Sequence, residues 1–89
     1  MANIKLGSVI KVDWVDSIAP IVNRVWVRRD DLDNEVPVLS TIGLVVKVDR
    51  HAVTLASSWY GSEPDSDVSG IMTIPRAAIV DLWTVERQT

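Results

Sequence analysis

The chain has 89 residues, no cysteine and a formal net charge of −3, from nine basic and twelve acidic residues. One domain with a modest core is expected, because a chain of this size buries only about 60–65% of the surface that it exposes when unfolded. The missing cysteines exclude disulfides and thiolate metal sites. The chain also lacks the net positive charge that is typical of nucleic-acid-binding proteins. No membrane partner is expected, since the apolar runs fall far short of the ~20 residues of a membrane span. A cytoplasmic location is predicted, since the N-terminus does not resemble a signal peptide.

Hydrophobic residues make up 47% of the chain, and they include four tryptophans but no phenylalanine. Valine dominates this set, and β-branched side chains favour strands. Residues 8–14 alternate between apolar and polar side chains, with Ile10, Val12 and Trp14 on one phase. This period of two predicts a half-buried first strand.

Residues 15–39 are predicted to form an irregular insert after the first strand. Pro20 excludes a central-strand position, although residues 22–27 form a possible extended piece around Trp26. The acidic run that begins at Asp30 predicts a solvated loop with at most one helical turn.

The second half of the chain predicts four strands joined mainly by short turns. A nearly continuous apolar run is interrupted only by Gly43, where a bulge or bend is expected. A polar loop is predicted over residues 61–70. The four strands are expected at residues 41–48, 52–58, 70–74 and 78–85. Together with the first strand they predict an all-β fold for residues 1–89, a strongly bent five-stranded antiparallel barrel with an insert between strands 1 and 2.

Two stretches of this half resemble the sequence motifs of Sm-like proteins. Gly43 in an apolar strand, Asp49 six residues later and Leu55 on the return strand resemble the first Sm motif. The sequence IPRAAIV, which begins at Ile74, resembles the second motif in its bacterial form, where a short basic turn joins the fourth strand to the fifth. The resemblance covers residues 41–85, and residues 8–14 supply the first strand.

Within this class the chain is most similar to short Sm-like proteins of phage or marine phage-related origin. Those proteins also carry a Trp-Val-Asp-Ser segment before the Sm core, found here at residues 14–17. The resemblance implies a homo-oligomeric ring in which the fourth strand of one copy pairs with the fifth strand of its neighbour. Such pairing would satisfy two exposed sheet edges. The implied ring interface comprises Gly70, Ile71, Met72, Thr73, Ile74, Ile79, Leu82 and Trp83.

RNA is the ligand that the resemblance implies, with candidate contacts at Lys47, Arg50, His51 and Arg76. His51 stands where Sm proteins often place a base-stacking side chain, although a lone histidine in a turn is also compatible with simple solvent exposure. Arg76 matches the lysine of the bacterial Lys-His pair, and it fits either a phosphate contact or an exposed turn. Val53 stands where the eukaryotic and archaeal Sm pattern has a base-binding asparagine, which argues against uridine-type recognition, although the bacterial pattern tolerates an apolar residue there.

A second hypothesis is a phage-related structural or protein-interaction ring that binds no nucleic acid. Its contacts with another phage or host protein would involve Trp59, Tyr60 and Trp26, since tryptophan and tyrosine dominate binding hot spots. An enzyme is not predicted, because the chain has one histidine, no cysteine and no glycine-rich phosphate loop. No catalytic residue, metal or cofactor is therefore assigned.

Overall fold

The computed structural model describes residues 3–17, 26, 28–31, 34–61 and 66–85. These residues form one antiparallel sheet of five strands in the order β4-β3-β2-β1-β5, which confirms the all-β prediction. The strands are β1 (Val9–Val15), β2 (Val38–Val48), β3 (Ala52–Trp59), β4 (Val68–Pro75) and β5 (Ile79–Thr84). In the described part the helical elements are two 3₁₀ turns, at Arg29–Asp31 and Arg76–Ala78.

Several strand bounds differ from the predicted ones by a few residues. The largest shift is at β2, which begins at Val38 rather than at residue 41, so the predicted insert ends earlier than residue 39. β4 begins at Val68, inside the predicted polar loop. The helical turn expected in the acidic run is a 3₁₀ turn that begins at Arg29. The extended piece predicted at residues 22–27 lies outside the described residues except for Trp26.

Strand β2 changes its pairing partner part-way along its length. Its first half, from Val38 to Leu44, pairs with β1. Its second half, from Leu44 to Val48, pairs with β3. The sheet therefore consists of two halves, β5-β1-β2 and β2-β3-β4, that share one strand.

Gly43 lies immediately before this change of partner. A Cβ atom at Gly43 would lie 2.9 Å from the Ala56 carbonyl oxygen and 2.9 Å from the Leu55 Cβ, so the missing side chain permits β2 to approach β3. The bulge expected at Gly43 lies instead between Val45 and Lys47, where the register with β3 shifts.

The core draws side chains from all five strands. Partly buried side chains of β5, Ile79 and Leu82, pack against the same cluster as Ile74 of β4, although these strands are the two ends of the sheet order. Each fully buried aliphatic side chain contributes about 1.5–3 kcal/mol of transfer free energy. The buried cluster comprises Ile10, Val12, Val45, Val53, Leu55 and Ile74.

Beyond Leu44 and Ala56 the ladder between β2 and β3 ends. We call the gap that opens there, between residues 38–43 of β2 and residues 57–59 of β3, the fork. In the described part of the chain these two stretches have no strand partner across the gap: residues 38–43 pair only with β1, and residues 57–59 adjoin only β4.

Candidate functional site

The turn between β2 and β3 is organised around the carboxylate of Asp49. Its Oδ1 accepts hydrogen bonds from the backbone N–H groups of His51 at 2.8 Å and Ala52 at 2.9 Å. These two bonds, with a minor contribution from nearby positive charge, lower the pKa of Asp49 below its usual value of 3.8. Asp49 is therefore ionised at neutral pH and fixes the shape of the turn.

Arg76 connects this turn to the one between β4 and β5. Its backbone N–H donates to the His51 carbonyl oxygen at 2.9 Å. Its Nη1 donates to the Asp49 carbonyl oxygen, also at 2.9 Å. Because both acceptors are main-chain atoms, Arg76 holds the two turns together, and a phosphate contact is not its sole role.

The four predicted nucleic-acid contacts come together at this end of the molecule. Arg50 donates from Nε to His51 Nε2 at 3.1 Å, and Lys47 is near enough to Asp49 to act on its carboxylate. Counting Lys47, Arg50 and Arg76 against Asp49, with His51 neutral, gives a local charge of +3 − 1 = +2. We call these five residues the basic tip.

Val53 does not reach the surface of the basic tip. Its side chain is fully buried in the core. The position that the resemblance matches to the base-binding asparagine of eukaryotic and archaeal Sm proteins is thus occupied by a packing residue.

Strand β4 is one outer edge of the sheet, and it exposes Ile71 and Met72 at 64% and 43%. The hydrogen bond from Arg76 N–H to the His51 carbonyl fixes which residues direct their main chain toward β3. By the alternation of an antiparallel ladder, the backbone N–H and C=O groups of Met72 and Ile74 point toward β3, while those of Ile71 and Thr73 point outward. Ile74, predicted at the interface, lies instead in the core with a fully buried side chain.

Gly70 of β4 has a positive φ of 64°. A Cβ atom there would also overlap the Ser57 hydroxyl oxygen on β3. The close contact between these two strands at this point therefore requires glycine.

Strand β5 is the other outer edge. The bond from Val85 N–H to the Val9 carbonyl oxygen, at 2.8 Å, directs the main chain of Val85 and Trp83 toward β1. Leu82 and Thr84 consequently direct theirs outward. The Trp83 ring, 41% exposed, lies below the Lys11 ammonium, whose Nζ is 4.6 Å from the ring centroid.

The aromatic residues of the second hypothesis occupy two places. Trp59 and Tyr60 are adjacent at the end of β3, and they are 40% and 74% exposed. They border a cleft of about 330 Å³ together with Val68. Trp26 is 87% exposed in the insert.

The sequence reasoning did not identify the contacts on the outer face of β1. Asp13 Oδ1 accepts a hydrogen bond from Ser40 Oγ at 2.6 Å, and Lys11 covers Trp83. The signal was present, because the alternation that buries Ile10 and Val12 places Lys11 and Asp13 together on the opposite face.

Among the described residues no group of three or more metal-ligating side chains occurs, and no helix has the length and apolar character needed to span a membrane. No family model matches the chain, and no solved structure matches it significantly. Multidrug resistance protein MdtA of Cronobacter turicensis is 29% identical over 77 residues, which make up 83% of this chain. The chain spans only 18% of the length of that protein.

Proposed function

We propose that this chain is a non-enzymatic Sm-like protein of phage-related origin that assembles into a homo-oligomeric ring. The observation that carries the proposal is the strand order, in which β4 and β5 are the two edges of the sheet and only the 3₁₀ turn Arg76–Ala78 separates them in sequence. This order, together with the short basic turn, agrees with what the sequence resemblance implies.

The finer architecture that we propose is a small, strongly bent barrel. Its support is the change of partner along β2, together with the side-chain contact between Thr41 Oγ1 and Met72 Sδ at 3.9 Å. Thr41 is on β2 and Met72 is on β4, so β3 separates their strands in the sheet. Strands two apart in a flat sheet are about 9–10 Å apart. The contact therefore supports a strongly curved sheet.

Edge pairing between copies is supported by both main chain and side chains. Ile71 and Thr73 on β4, and Leu82 and Thr84 on β5, direct their backbone polar groups away from the sheet. Exposed edges of this kind readily pair with another chain. The exposed apolar side chains of Ile71 and Met72 would lose contact with water in that pairing.

A proline at Thr84 tests the edge pairing. Thr84→Pro removes an outward N–H at the last residue of β5, a position where proline is tolerated within one subunit. Thr84→Ala, the matched control, keeps the N–H. Native mass spectrometry should show assembled rings for wild type and Thr84→Ala and mainly monomers for Thr84→Pro. Equal assembly of all three proteins would refute pairing through β5.

Single-stranded RNA is the ligand that we propose for the ring. Its support is the basic tip, where side chains from two turns are held together with a local excess of positive charge. Repeating the tip in every subunit would multiply that charge around the ring. The side chains of Lys47 and Arg50 would supply phosphate contacts, and His51 would stack on a base.

RNA binding can be measured with a fluorescent U-rich or A-rich oligonucleotide at several salt concentrations. The double variant Lys47→Ala, Arg50→Ala should reduce the slope of log affinity against log salt by about 1–2 for each subunit engaged. Lys5→Ala removes one positive charge outside the tip and should change the slope little. If wild type binds neither oligonucleotide at low salt, the RNA proposal is lost while the ring proposal stands.

The second candidate is a ring that binds another protein and no nucleic acid. The exposed pair Trp59 and Tyr60 beside an apolar cleft favours it. An assembled ring that does not bind RNA at low salt would favour this second candidate over the first.

A further inference from the structure

At the fork, a stretch of β2 has no strand partner on one side among the residues that the structure describes. Val45 N–H donates to the Ser8 carbonyl oxygen at 2.8 Å, and Asp16 N–H donates to the Pro37 carbonyl oxygen at 3.0 Å, so the odd-numbered residues of β2 direct their main chain toward β1. By alternation, Val38, Ser40 and Ile42 direct theirs into the fork. An extended segment can pair with such polar groups by adding a strand.

The side chains along this edge indicate what kind of segment would fit. Val38 and Ile42 are each 57% exposed, and they lie on one face of β2 with Ser40 between them. A segment paired with this edge would gain by placing apolar side chains opposite Val38 and Ile42. Its central residue would lie opposite Ser40.

Negative charge adjoins the middle of this edge. Ser40 is opposite Asp13 of β1, and Asp13 is directly opposite Asp81 of β5. Like charges in directly opposed positions repel one another. Within the described residues neither carboxylate has an ion pair, because the nearby cation of Lys11 lies over Trp83 instead.

We propose that the fork binds an extended segment of a partner protein, which adds a strand to β2. The segment has the pattern apolar–x–basic–x–apolar. Its basic side chain extends over Ser40 to the carboxylate of Asp13, while Asp81 adds negative charge one strand further on. Its main chain bonds to residues 38–42. This site is separate from the β4 and β5 edges, so it does not depend on ring formation.

The probe is a fluorescein-labelled seven-residue peptide, serine-valine-threonine-arginine-threonine-valine-serine, titrated with protein and followed by anisotropy. Two further peptides serve as controls, one with glutamate in place of arginine and one with N-methylated valines, whose N–H groups point toward β2 in antiparallel pairing. Charge reversal beside two carboxylates should weaken binding about tenfold. N-methylation, which removes main-chain donors and hinders strand pairing, should weaken it about fivefold or more.

Protein variants locate the site. Ser40→Ala removes the bond to Asp13 but keeps the edge N–H, whereas Ser40→Pro removes both. The arginine peptide should bind Ser40→Ala nearly as well as wild type and Ser40→Pro at least about fivefold more weakly. Circular dichroism must show both variants folded. If Ser40→Pro unfolds, Ile42→Lys serves in its place. It replaces an apolar side chain of the edge with a positive charge and should weaken binding of the arginine peptide by the same factor.

Equal binding of the arginine and glutamate peptides, or equal binding to all folded variants, would overturn the proposal. Binding undetectable at millimolar protein would also overturn it. Closure of the fork by a second copy would appear as peptide binding that weakens as protein concentration rises, and it too would overturn a partner-segment site. Thr84→Pro should leave peptide binding unchanged, which separates failure at the fork from failure of the ring.

Discussion

The two ends of β2 differ in how completely their polar groups are satisfied. At the basic tip, Asp49 caps one turn and Arg76 connects it to the next through two hydrogen bonds to main-chain oxygens. At the fork, the first half of β2 turns away from β3, and within the described part of the chain no strand pairs with the edge that this exposes. A rigid end suits a fixed array of charges, whereas an open end suits recruitment of another chain.

The largest expected effect comes from disturbing the point where β2 passes from one half of the sheet to the other. Gly43→Ala places a Cβ 2.9 Å from a backbone oxygen and from the Leu55 Cβ. Overpacking of this kind costs about 1–3 kcal/mol. We expect a lower urea midpoint with little change at the basic tip. A midpoint equal to wild type would show that the approach of β2 to β3 is not tight.

A smaller loss is expected at Gly70, beside the fork. Gly70→Ala forces a left-handed backbone on a residue with a Cβ, at a cost of about 1–2 kcal/mol. The overlap with the Ser57 hydroxyl adds to this cost. Adding Ser57→Ala, which removes the hydroxyl oxygen without introducing a strand glycine, should recover the part due to overlap and leave the backbone strain, as measured by urea unfolding. Gly61 also has a positive φ, of 51°, and a Cβ atom added there would meet no other atom within 4 Å. The substitution Gly61→Ala therefore measures the cost of backbone strain alone. If the double variant at residues 57 and 70 were no more stable than Gly70→Ala, the overlap with the Ser57 hydroxyl would not contribute to the loss of stability.

The smallest expected effect is the pH dependence contributed by Asp49. Because its pKa is lowered in the folded state, the carboxylate stabilises the fold above its ordinary pKa of 3.8. That contribution is lost as the pH falls through the lowered value. The melting temperature of wild type should exceed that of Asp49→Asn at neutral pH, and the difference should shrink in acid. A difference that grows in acid would contradict the account of the turn.

Much of the fold was predictable because alternation reports burial directly. The pattern of Ile10, Val12 and Trp14 located β1, and the short turn at Asp49 located a hairpin. The change of partner at Leu44 was not predictable, because a strand shared by two halves of a sheet has the same alternation as a straight strand. The start of β2 at Val38 was missed because Pro37 directly precedes it and the polar Ser40 and Thr41 interrupt its apolar residues.

At the candidate site, the sequence placed Lys47, Arg50, His51 and Arg76 on two turns by way of the resemblance, and the fold brings these turns together. The engagement of Arg76 with main-chain oxygens was not predictable, since long-range bonds between side chain and main chain leave no periodic signal. Ile74 was assigned to the interface because it lies on an edge strand, but its side chain belongs to the core.

The proposed ring requires that the outer edges of β4 and β5 pair between copies. Sedimentation velocity of the unmodified chain at micromolar concentration tests it most directly. The account predicts one dominant species whose mass is a fixed multiple of 9.9 kDa, three copies or more, and unchanged over a tenfold dilution. A single species of 9.9 kDa at all concentrations would contradict it.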